Sequence, residues 1–174
     1  MIEIAPLAIA ATDLALGAEP LIGRDVSLSL APPAARYSLR ARDAAMLSAL
    51  VGRPLPARIG EMAGGIACLG PDEWLAVLPA GEPLASGEGL AVSVVDVSDR
   101  ALGFVLEGRG AAAAIASGCP LDLELFAVGR ATRTVFETVE IVLFREDETR
   151  FRVEVWRSFA PWLWHAFAAA IAES

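Results

Sequence analysis

The sequence predicts an α+β fold in which antiparallel sheets are covered on one face by helices. Three observations carry that expectation. Short β-branched and aromatic runs follow one another across turn residues, as in hairpins and meanders. Only three stretches have helical spacing or propensity, at residues 44–51, 109–117 and 158–171. The element order then runs strand, helix, strand, strand, a degraded helix, strand, and again strand, helix, three strands, helix, so that each half approximates a split, ferredoxin-like βαβ pattern.

Taken in order, residues 25–30 form a first strand, stopped by Pro32 and Pro33. Residues 36–42 alternate, with Tyr37, Leu39 and Ala41 on one face and Arg36, Arg40 and Arg42 among the others, the pattern of a half-solvated strand. Asp43 can cap the following helix, in which Met46, Leu47, Leu50 and Val51 recur at helical spacing, and Gly52 can end it in the left-handed conformation. Residues 64–69 and 73–79 are apolar runs joined by Gly70-Pro71-Asp72, hence a hairpin. Residues 80–89, rich in Gly, Pro and Ser, mark a boundary between halves or the remnant of a helix. Strands are expected at 92–98 and 102–107. Four consecutive alanines in 109–117 favour a helix with little bulk, which packs only where a sheet or partner comes close. Residues 132–136, 140–145 and 151–156 read as a meander, and Ser158 as the cap of a last helix with Pro161 in its first turn.

Residues 1–24 read as a mobile or docking arm: apolar, but with Glu3, Pro6 and Asp13 and without the basic start of a signal peptide. Residues 25–174 then form a single domain with candidate halves at 25–90 and 91–174, either separate or interwoven. No apolar run approaches the ~18 residues needed to span a bilayer, so no membrane is expected.

The chemistry is narrowed by what is missing. The 174 residues carry 14 basic and 22 acidic side chains, a net charge of −8, which repels nucleic acid. Every basic residue is arginine, which removes a P-loop lysine, a Schiff base and a lysine general base. One histidine, His165, and two cysteines, Cys68 and Cys119, cannot supply a zinc set, and no strand-to-helix nucleophile elbow serves a triad around His165. Their apolar flanks make the two cysteines buried reduced thiols of a cytoplasmic protein.

Three stretches are more informative than any single motif: Gly70-Pro71-Asp72-Glu73-Trp74-Leu75, Val94-Val95-Asp96-Val97-Ser98, and the block from Val155 through Trp156, Arg157, Ser158, Phe159, Ala160, Pro161, Trp162 and Leu163 to Trp164. With Gly118-Cys119-Pro120-Leu121-Asp122-Leu123 they resemble the gamma subunit of heterotetrameric sarcosine oxidase over roughly residues 28–171. More distantly, the Asp96 segment and the 133–156 meander resemble the folate-binding aminomethyltransferase of the glycine cleavage system, which implies a folate-binding-like fold. The first resemblance implies a non-catalytic subunit, with FAD, FMN, NAD and zinc held by partner alpha, beta and delta subunits and none by this chain. The complex would demethylate sarcosine to glycine, passing the one-carbon unit to tetrahydrofolate or releasing it as formaldehyde. The alternative is a folate-binding module, alone or partnered. An independent transferase would need an acid and a positioned base, and the chain offers isolated carboxylates.

The distant resemblance makes Asp96 and Ser98 candidates for a vestigial folate site, since a carboxylate can pair with a pterin's donor edge. Relatives commonly place histidine where this chain has Asp99, which favours loss of that site. The competing reading is a polar turn between strands. Trp156, Arg157, Trp162 and Trp164 are candidates for the partner interface, being residue types that dominate interface energetics. On a helical wheel Phe159, Leu163, Ala166 and Ala170 share the core stripe, Trp164 falls at its margin and His165 off it. Arg157 reads equally as an interface anchor, an anion site or half of an intrachain ion pair.

Overall fold

The computed structural model describes Leu16 and residues 19–173. The proposed arm lies largely outside the described residues. Within them it ends early, since Leu16 is in the core and Leu21–Ile22 is already a strand.

Eleven strands and three α-helices follow: β1 Leu21–Ile22, β2 Ser27–Leu30, β3 Ala34–Ala41, α1 Ala44–Val51, β4 Met62–Ala63, β5 Ile66–Gly70, β6 Glu73–Pro79, β7 Val92–Asp96, β8 Ala101–Glu107, α2 Ala111–Ala116, β9 Arg130–Phe136, β10 Val139–Asp147, β11 Arg150–Trp156 and α3 Ala160–Ala172. All strand pairs are antiparallel, in a six-stranded sheet ordered β1-β2-β8-β11-β10-β9 and a five-stranded sheet ordered β4-β5-β6-β3-β7.

The division into halves at residue 90 fails on this topology. β2, from the first half, pairs with β8 (Leu28 opposite Leu106), and β7, from the second, pairs with β3 (Leu39 opposite Val94). Each half thus gives one strand to the other's sheet, and the domain is interwoven. Residues 80–91 contain no helix and connect one sheet to the exchanged strand.

Each sheet buries one face under helices. Phe104, Phe136, Phe151, Ile141 and Val153 meet α2 and α3, while Tyr37, Leu39, Trp74 and Leu78 meet α1 through Leu47 and Val51. The other two faces turn towards each other, with Ala67, Ala131 and Phe144 buried between them. An isolated bridge between Glu61 and Arg130 joins the sheets at one edge. At its Arg36 end this face of β3 is not solvated, because the six-stranded sheet covers it and Arg36 is only 5% exposed, whereas Arg40 at the other end is exposed as expected.

Local signals worked where they were local. The Asp43 carboxylate accepts the amides of Ala45 and Met46, and Gly52 ends α1 at φ 67°. α2 is indeed a helix of small residues in close contact: Ala111 and Ala114 are buried, and a Cβ at the following Gly118 would lie 2.7 Å from the Phe136 ring. Ser158, by contrast, caps nothing. Residues Arg157–Phe159 form a 3-10 turn, and α3 starts after it with Pro161 in its first turn and no side-chain cap.

Candidate functional site

The space between the sheets is where polar residues converge. Strand alternation sends Arg36, Ser38 and Arg40 of β3, Glu73 of β6, Arg133 of β9 and Arg152, Glu154 and Trp156 of β11 to that side. Glu154, 4% exposed, accepts Arg36 Nε at 2.5 Å and Nη2 at 3.3 Å, and Arg152 Nε at 2.6 Å. Arg36 also donates Nη1 to the Ala34 carbonyl. Gly103 leaves room for this cluster, because a Cβ there would stand 2.7 Å from Glu154 Oε1. The ion pair crosses from one sheet to the other and ties them together.

A second crossing is made by Glu73, which accepts Arg133 Nη2 at 2.5 Å and Nη1 at 3.2 Å, with Arg40 Nη2 3.1 Å away. The Arg133 hydrogen bond, helped by both positive charges and opposed by burial, holds the Glu73 carboxyl below its ordinary 4.5. The stabilisation is therefore complete above the unfolded pKa and is lost as pH falls through the depressed folded value. Urea denaturation of wild type and Glu73→Gln should give a stability difference that is constant above about pH 5.5 and shrinks on further acidification. A pH-independent difference would show that the Glu73 charge contributes nothing.

Between these crossings a cleft of about 160 Å³ opens, lined by Ser38, Leu69, Leu75, Val97, Ala101, Val142 and Trp156 beside the charged pairs. It is smaller than the ~300–1000 Å³ pockets that enclose drug-sized ligands. At its rim Trp156 is 39% exposed with the Arg100 guanidinium 5.0 Å from its ring centre, and two aromatic residues of the segment after β11, Phe159 (47%) and Trp162 (41%), are exposed as well.

Known proteins share this sequence pattern and this arrangement of sheets. The sarcosine oxidase gamma subunit family model matches residues 39–173. The chain belongs to that family. Sarcosine oxidase subunit gamma of Arthrobacter sp. is 35% identical over 63% of this chain and 60% of that protein, so the match spans less than two thirds of that relative. The same-named protein of Corynebacterium sp. (strain P-1) is 30% identical over 74% of this chain and 70% of its own length. Among solved structures, heterotetrameric sarcosine oxidase from Corynebacterium sp. U-96, in complex with pyrrole 2-carboxylate, contains a chain matched at TM-score 0.75, with 29% identity, covering 88% of this chain and 87% of that one. Glycine cleavage system aminomethyltransferase T from Bartonella henselae shares the fold at TM-score 0.64, with 15% identity, covering 83% of this chain and 46% of that one.

The residues singled out in the sequence separate within this gamma-subunit fold. Asp96 Oδ1 accepts the Ser98 amide at 2.8 Å, and Ser98 Oγ accepts the Arg36 amide at 2.8 Å, so both are engaged in the polar turn after β7. Trp156 and Trp162 are both exposed. Arg157 is half-buried, and its Nε is buried with no hydrogen-bond partner among the described residues. Trp164 is a correction: it is 6% exposed, inside the core against Phe104 rather than at a helix margin. His165 is exposed. Cys68 and Cys119 are free and buried, and burial pushes the Cys68 thiol up. No helix among the described residues is long and apolar enough to cross a membrane.

Sequence reasoning missed the ionic layer. A signal existed: Glu154 stands alone between Val153 and Val155 in an apolar strand, and such a carboxylate needs a buried cation. Finding Arg36, 118 positions away, needs the fold.

Proposed function

We propose that the chain is a non-catalytic gamma subunit of a heterotetrameric sarcosine oxidase that demethylates sarcosine to glycine. What supports this most is the likeness to a chain of the Corynebacterium complex over almost the full length of both. The alpha, beta and delta partners hold FAD, FMN, NAD and zinc, and the one-carbon unit leaves as formaldehyde or on tetrahydrofolate. The chain docks through Trp156, Phe159 and Trp162, with Arg157 and Arg100 as flanking cations. Tetrahydrofolate is held weakly or not at all by this chain, a reading supported by the use of Asp96 Oδ1 and Ser98 Oγ within the turn after β7.

Co-expression with the partner genes tests the reading. The tagged chain should bring down a flavin-coloured complex that oxidises sarcosine, while alone it shows no flavin absorbance and no sarcosine-dependent peroxide. Trp162→Ala should leave the melting temperature of the isolated chain nearly unchanged and weaken association by about 2 kcal/mol or more if Trp162 is a hot spot. One equivalent of flavin retained by the isolated chain would overturn the proposal.

A further inference from the structure

A guanidinium cannot shed its charge, so wherever one leaves bulk water it needs an acceptor. Every arginine of this chain that is not exposed follows that rule, with one exception. Arg36, Arg53, Arg150 and Arg152 reach carboxylates, and Arg130 and Arg145 reach backbone carbonyls. Arg157, half-buried in the 3-10 turn between β11 and α3, reaches nothing. Its Nε is shielded from solvent, and its side chain has no hydrogen bond or ion pair among the described residues. Arg100, stacked 5.0 Å from the ring centre of the adjoining Trp156, has no carboxylate partner among them either, its own neighbour Asp99 included. The chain has 22 acidic side chains and a net charge of −8, yet leaves both cations at this end of β11 unanswered.

Resting on the subunit role above, and not on which apolar residues dock, we infer that Arg157 receives a carboxylate side chain of a partner subunit. In the free chain the guanidinium has lost part of its hydration and gained no attraction in return. A carboxylate laid against it supplies charge-assisted hydrogen bonds and the missing opposite charge together. The guanidinium fork matches the two oxygens of a carboxylate, so the contact orients the partner as well as attracting it. Because Nε is already shielded, part of the desolvation cost is met before the partner arrives. The exposed Arg100 adds positive field that steers an acidic segment towards this end of the strand. Arg157 does not line the cleft between the sheets, so a free anion would have little besides the guanidinium to hold it, whereas a partner brings the rest of its surface.

The test removes the charge and keeps the bulk. Arg157→Met and Arg157→Gln, each in the full chain, are titrated against the co-expressed partner subunits beside wild type and Trp162→Ala. Both Arg157 variants should associate at least about tenfold more weakly, and added salt should weaken wild type more than either of them. The isolated Arg157→Met chain should melt at or above the wild-type temperature, since it loses a half-buried charge that has no partner within the chain. A melt several degrees lower with unchanged association would place the acceptor inside the chain and overturn the inference. So would association of both variants at wild-type strength, which would leave water as the acceptor; if Trp162→Ala is weakened in the same titration, the docking reading still stands. Wild type that captures no partner would refute the subunit role together with the inference. Should Arg157→Met fail to fold, Arg157→Gln, which keeps a polar group at the position, carries the association test alone, and wild-type affinity for it overturns the inference.

Discussion

Replacing Trp164 with alanine should cost the isolated chain about 3–5 kcal/mol of folding stability and leave the partner surface intact. The ring lies 5.7 Å from Phe104, tilted by 54°, in the layer where Leu163, Phe167 and Ile171 of α3 meet the six-stranded sheet. Truncation opens a void that strands on one side and helix on the other cannot close, since both are fixed by their own hydrogen bonds. For a chain of this size the loss corresponds to a drop of roughly 10 °C in melting temperature. At temperatures well below that transition, co-purification with partners should be unchanged. A wild-type melt combined with lost association would return Trp164 to the interface.

The sequence misplaces Trp164 through a phase error. Starting the wheel at Phe159 puts Ala166 and Ala170 in the core stripe. The helix begins one residue later, after a 3-10 turn, and the buried set is Ala160, Leu163, Trp164, Phe167 and Ile171. That rotation moves Trp164 inward and leaves Phe159 outside. β1 and β4 escape a sequence reading for a different reason: two-residue strands carry no periodicity and exist only because a neighbouring strand pairs with them. Every longer strand, the α1 caps and the Gly70 to Asp72 turn were legible, because each is set by residues within a few positions. What could not be read was how the sheets exchange strands and face each other. Binary pattern says that the Arg36 face of β3 is polar, but whether it meets water or Glu154 is decided by β11, far along the chain.

Glu154→Ala should be as damaging as the loss of Trp164, by a different mechanism. It removes the carboxylate that answers the buried Arg36 guanidinium and the partly buried one of Arg152, and leaves both charges between the sheets with Arg152 Nη2 already lacking a hydrogen-bond partner among the described residues. Breaking a buried pair in this way costs about 3–5 kcal/mol, because the stranded charge keeps its desolvation penalty and loses its attraction. Arg36→Ala should cost less, since Arg152 still neutralises Glu154, though it cuts the link of this cluster that runs between the two sheets. Replacing Arg36, Arg152 and Glu154 together by Met, Met and Leu should recover most of the stability, as apolar residues of similar bulk need no compensation. Denaturant titrations of the three variants against wild type decide the matter: Glu154→Ala losing under about 1 kcal/mol would mean that water reaches the cluster and that this crossing adds little to holding the sheets together.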